Sequence, residues 1–126
     1  MPVMVAPSTR PRLKGVDPAI APAVRQFLEK ISRSFNVTGA LLYGSYARGD
    51  FHDESDVDVA VFLDRESRGQ GLLRTAWAMG DAAIDVLLDT GVYISPLPIW
   101  EDEWEHPESY SNPILLRNIA AEGIRL

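Results

Sequence analysis

The chain has 126 residues, enough for one domain around one hydrophobic core but not for two. Apolar residues make up 46% and charged residues 24%, an ordinary globular balance, and the net charge of −6 argues against a broad nucleic-acid-binding surface. The absence of cysteine excludes a disulfide framework and a thiolate metal site and points to a reducing cytoplasm, and no apolar run approaches the ~20 residues that a membrane span needs.

The opening MPVMVAPSTRPRLKG is proline-rich and lacks a contiguous apolar signal core. Residues 1–15 are therefore expected as a flexible tail, with Arg10, Arg12 and Lys14 solvated, ahead of a domain spanning 16–126. Asp17-Pro18 suits a helix start, and Ile20, Val24, Phe27, Leu28, Ile31 and Phe35 recur at helical spacing, although Pro22 is an equally good first-turn residue. A buried strand at about 39–44, a short turn-helix after Ser45 and a second strand at about 56–63 follow. Glu66 to Thr90 reads as a long helix. Leu72, Leu73, Ala76, Trp77, Gly80, Ile84, Leu87 and Leu88 form its predicted core stripe, and Gly91 is its C-cap. Val92 to Ile99 predicts a third strand, placed at an edge by Pro96 and Pro98. Glu101, Asp102 and Glu103 then read as an exposed acidic loop, and Asn112-Pro113 starts a last helix that ends at Glu122 before Gly123. The expected fold is a small α/β (α+β) domain: a mixed sheet of three or more strands, with helices packed mainly on one face.

Chemistry concentrates in residues 44–58, GSYARGDFHDESDVD. Strand side chains alternate faces, so Asp56 and Asp58 project from one side, roughly 7 Å apart along the backbone, while Val57, Val59, Val61 and Leu63 enter the core. Two such carboxylates repel each other unless a cation lies between them, and oxygen-only ligands suit a hard ion such as Mg²⁺. Gly44 permits a sharp turn with its backbone open to a ligand, and Ser45 fits a helix N-cap where an anion is favoured. Arg48 either adds positive charge to that phosphate region or pairs with an acidic neighbour. Ser55 fits a loop-holding hydrogen bond just before the strand. An EF-hand is excluded, because the acidic run lacks the glycine at loop position six and the glutamate at position twelve.

Gly-Ser-x-Ala-Arg-Gly-Asp, a short acidic spacer, then Ser-Asp-x-Asp followed by valines resembles the minimal nucleotidyltransferases of the DNA polymerase beta-like superfamily. The resemblance is close over about fifteen residues and compatible in element lengths over most of 17–126. It implies transfer of a nucleoside monophosphate from an NTP, with Gly44, Ser45, Arg48 and Ser55 on the nucleotide and Asp56 and Asp58 on magnesium. Such enzymes usually carry a third acid on the strand after the long helix, to help activate the acceptor hydroxyl. Here that strand reads VYISPLPI. Asp85 would supply the acid only if the helix ended near Gly80. Otherwise Asp81, Asp85 and Asp89, four residues apart, are surface charges. Glu101–Glu103 would lie at the sheet end opposite Asp56 if strands two and three are parallel.

Two functions therefore stand side by side. One is an Mg²⁺-dependent enzyme acting on a protein, RNA end or small molecule, with Ser95, Glu54 or a partner positioning the acceptor. The other is a degenerate module that binds nucleotide or a helical partner without turnover, as in the antitoxin-like half of a two-protein system. A homodimer is compatible with either. His52 is expected to face solvent, Tyr46 to be exposed, and Trp100 and Trp104 to pack rather than stack on a base.

Overall fold

Val37–Tyr43 (β1) and Val57–Leu63 (β2) pair antiparallel at the centre of the sheet, and nearly every residue of both is buried. Their valine- and leucine-rich sequences fit strands covered on both faces. The structure is a computed structural model that describes residues 15–126, so the expected tail, with Arg10, Arg12 and Lys14, falls outside it but for Gly15. Ile94–Trp100 (β3) joins β2 in parallel, and Ile124–Arg125 (β4) joins β1 antiparallel, giving the mixed order β3-β2-β1-β4. Pro96 and Pro98 thus lie on an edge strand, where a missing N–H costs no ladder bond.

The two longer helices, Ala21–Ser32 (α1) and Leu72–Thr90 (α3), cover the face presented by Val57, Val59, Val61 and Leu63. Helix α1 begins next to Pro22, which settles the choice between its two candidate start prolines. The opposite face carries Ala60, Phe62 and Ile99, covered by Leu116 and Ile119 of the C-terminal helix Pro113–Glu122 (α5). Trp104 meets Phe62 edge-on at 4.8 Å, and Trp100 is buried beneath the Arg68 guanidinium, 5.2 Å from its ring centre. Both tryptophans therefore pack, as expected. Among the described residues no helix is long and apolar enough to cross a membrane.

Three expectations require correction. The helix foreseen from Glu66 starts at Leu72, because Asp64 caps a 3₁₀ turn over Arg65–Gln70 and Gly71 breaks the chain direction at φ +82°. Glu101–Glu103 open a short helix, Glu101–Glu105 (α4), rather than a loop; Asp102 binds Arg68 at 2.8 Å. The third correction concerns the side of α3 that faces the sheet. Thr75, Met79, Ala83 and Val86 are buried, whereas Leu73 and Leu88 are at least 80% exposed and Trp77 is 76% exposed. Helix α3 carries two apolar faces. Hydropathy favours the bulkier one, but the smaller side chains face the sheet and α1.

Candidate active site

Strand β1 ends at Tyr43, and Gly44 then adopts φ +75° and ψ −153°, a conformation open essentially to glycine alone. The chain turns into the one-turn helix Ser45–Arg48 (α2), which closes at Gly49 with φ +87°. The N-cap position falls on Gly44, so Ser45 is the first helical residue and not the cap expected from sequence. Asp58, the second residue of β2, stands in register with Tyr43 on one side and Ser95 on the other. Its carboxylate lies directly against the Gly44 Cα, and any Cβ there would overlap it. Acid and turn are thus in contact.

Asp56 stands just before β2, exposed, on a segment fixed by the Val57 N–H donating to the Tyr93 carbonyl at 3.0 Å. It borders a groove of about 220 Å³ between the 53–56 loop and residues 91–93. Ser55 holds that loop as expected, its hydroxyl oxygen accepting from the His52 N–H at 2.9 Å. His52 is occupied locally, since its Nδ1 accepts from the Glu54 N–H at 3.2 Å. Tyr46 stacks on Phe51 with ring centres 4.2 Å apart; it is half-buried rather than exposed.

Electrostatically the site is acid-rich. Burial pushes the Asp58 carboxyl above the usual carboxylate range; Asp56 pushes it further, Arg48 partly offsets this, and Glu122 adds to the rise. Tyr43, beside Asp58, is pushed up to about 12, chiefly by burial and then by the Asp58 charge.

Glu122, the last residue of α5, was not foreseen. It accepts a hydrogen bond from the Gly44 N–H at 3.0 Å, and both its oxygens accept from Arg48 at 3.3 Å. Arg48 also donates to Asp50 at 3.2 Å. Of the two roles open to Arg48, pairing with acids is the one adopted here. The Glu122 carboxylate thus occupies both the Gly44 N–H and the Arg48 guanidinium as donors. Nothing in the local sequence of α5 announces this, because the contact spans 78 positions.

Asp85 lies outside the site. It sits on α3, which packs on the sheet face opposite Asp58, and its exposed carboxylate is 3.8 Å from Lys30. The position beside Asp58 on β3 belongs to Ser95. Among the described residues no group of three or more His, Cys, Asp or Glu side chains is placed to hold a metal ion.

A glycine turn in contact with an acid on the second strand of a small mixed sheet defines a nucleotidyltransferase-type domain. The nucleotidyltransferase domain family model matches residues 24–103, well over half of the chain, and the chain belongs to that family. The general activity of that family is nucleotidyl transfer. The chain is also similar to the crystal structure of a proposed nucleotidyltransferase from Sulfolobus solfataricus, at 17% identity and a TM-score of 0.45, covering 85% of this chain and 84% of that one. No curated protein matches the sequence.

If Glu122 competes with the triphosphate for Gly44 and Arg48, then Glu122→Gln should tighten NTP binding about 3- to 10-fold, roughly the worth of one partly exposed charged hydrogen bond. Calorimetric titration measures this. Weaker binding would instead assign Glu122 to the bound cation.

Proposed function

We propose that this chain binds a nucleoside triphosphate with Mg²⁺ and transfers its nucleoside monophosphate to an acceptor. The observation that carries this is the contact between the Asp58 carboxylate and the Gly44 turn, which brings a metal-binding acid and a phosphate-binding bend to one point. Asp56 and Asp58 would hold the ion. They fit a hard cation, since both offer only oxygen and their mutual repulsion is what a divalent charge relieves. When bound, the ion neutralises triphosphate charge and polarises the α-phosphorus.

The chain's own residues supply position and charge. Gly44 and Ser45 admit the phosphates at close range, and Ser55 keeps the loop before Asp56 in place. Arg48 leaves Glu122 for the incoming phosphate. In the transfer the acceptor hydroxyl oxygen bonds to the α-phosphorus and gives its proton to solvent, the bond from the α-phosphorus to the α–β bridging oxygen breaks, and pyrophosphate departs. Ser95, in register with Asp58, offers a hydroxyl to orient the acceptor but is no base. The acceptor is a protein, an RNA end or a small molecule, and a cytoplasmic setting suits a chain without cysteine.

The combination of Ser95 beside Asp58 and Glu122 on the turn favours a second reading, a module that binds nucleotide or a partner without turnover. Purified protein incubated with α-labelled ATP, GTP, CTP and UTP, Mg²⁺ and candidate acceptors separates the two. The enzyme predicts label that appears on an acceptor and vanishes in Asp58→Ala. Mg²⁺–NTP binding with no transfer to any acceptor selects the module.

A further inference from the structure

The outer face of α3 is an apolar stripe that no other element among the described residues covers. Leu73, Trp77, Ile84 and Leu88 are 83%, 76%, 51% and 80% exposed. They lie on the side of the helix away from Thr75, Met79, Ala83 and Val86, which are buried. Together they present on the order of 500 Å² of apolar surface, at the upper end of what a monomer usually shows.

We propose that this stripe is the interface of a two-fold symmetric dimer, in which α3 of one copy packs antiparallel against α3 of a second. The order of the stripe carries the assignment. About the Gly80–Asp81 peptide, Leu73 and Leu88 are equidistant, and so are Trp77 and Ile84. An antiparallel copy therefore sets Leu73 against the second copy's Leu88 and Trp77 against its Ile84. Gly80 falls at the crossing point, where nothing lies within 4 Å of a Cβ built on it and the missing side chain lets the backbones approach. A two-fold interface must be self-complementary in this way. The shallow groove along Gly71–Leu73 and Trp77 then receives the opposing Leu88.

Charge is compatible with the same arrangement. The N-terminal part of α3 carries Arg74, which forms no ion pair among the described residues, and the C-terminal half carries Asp81, Asp85 and Asp89. Antiparallel packing sets Arg74 near the second copy's Asp85 at both ends, beside the Lys30 that already stands 3.8 Å from that carboxylate. Two copies would bury about 1,000 Å², the lower bound of a specific interface, so the dimer is a reversible one. Because α3 covers the sheet face opposite Asp58, the nucleotide site stays open in it.

Sedimentation equilibrium of the full chain from 1 to 500 µM tests this, with circular dichroism confirming that each variant folds. Wild type should show a concentration-dependent monomer–dimer equilibrium. Trp77→Glu, a change at an exposed position, should be folded and monomeric, with association at least 100-fold weaker. Asp81→Asn should tighten the dimer several-fold, because Asp81 flanks the two-fold axis and meets its own copy there, and Arg74→Glu should loosen it. A monomer throughout the range overturns the proposal, including one that dimerises only when residues 2–14 are deleted. So does a dimer that Trp77→Glu leaves intact.

Discussion

Asp58→Asn should abolish nucleotidyl transfer while making the metal-free protein more stable than the wild type. The loss follows from removing one of the two acids proposed to hold the cation, which would cost several kcal/mol of transition-state stabilisation, roughly 10³-fold in rate. The gain follows from electrostatics in the folded state. The Asp58 carboxyl is held above the usual carboxylate range by burial, with Asp56 and Glu122 contributing, so its charged form is disfavoured where it sits. A folded-state pKa raised above the unfolded one gives stability that is fully present below the unfolded pKa and is lost as pH rises through the folded value. At neutral pH the ionised Asp58 therefore opposes folding, and asparagine removes that opposition. Because Asp58 is partly exposed the gain is screened and small, read as a modest rise in Tm. Thermal unfolding in chelator at neutral pH should rank Asp58→Asn above wild type, and the gap should close on acidification. Adding Mg²⁺ should raise the wild-type Tm and leave the variant unmoved. A variant less stable than wild type at neutral pH would mean that Asp58 serves the fold rather than the site.

Gly44→Ala should damage both fold and site. Alanine must adopt φ +75° with ψ −153°, and its methyl group overlaps the Asp58 carboxylate. Backbone strain and forced displacement of Asp58 together should cost about 2–4 kcal/mol. Chemical denaturation measures the loss, and NTP titration of the folded fraction should show no binding. The two causes are separable. Combining Gly44→Ala with Asp58→Ala removes the overlap but not the strain, so the double variant should be more stable than Gly44→Ala alone. If the two changes simply add, the turn and the acid are not in contact.

The part of the site that the sequence reveals is the part made by near neighbours. Gly44, Ser45, Asp56 and Asp58 belong to one hairpin-like unit, β1–α2–β2, whose geometry follows from strand alternation and one glycine turn. The prolines of β3 reveal its edge position, and Asn112-Pro113 and Gly123 mark the ends of α5. What stayed hidden is set by tertiary packing. Glu122 reaches Gly44 because two residues of β4 pair with Leu41 and Leu42 and draw the end of α5 over the turn. A two-residue strand leaves almost no pattern. Ser95 is legible from sequence as one candidate to position the acceptor, but its register beside Asp58 is set by the parallel pairing and by no periodicity. On α3 the stripe of largest side chains is the outer one, because amphipathicity identifies an apolar face without saying what covers it. Asp85 was correctly legible as a surface charge by its spacing from Asp81 and Asp89, and Lys30 is its neighbour.

The most direct measurement is calorimetric titration of the wild-type protein with a nonhydrolysable NTP, in saturating Mg²⁺ and again in excess chelator. One cation shared between the Asp56–Asp58 pair and the triphosphate at the Gly44 bend predicts one site per chain, with affinity that falls at least tenfold in chelator and is lost in Asp58→Asn. Binding that is equally tight without the metal, or unchanged by Asp58→Asn, would contradict it.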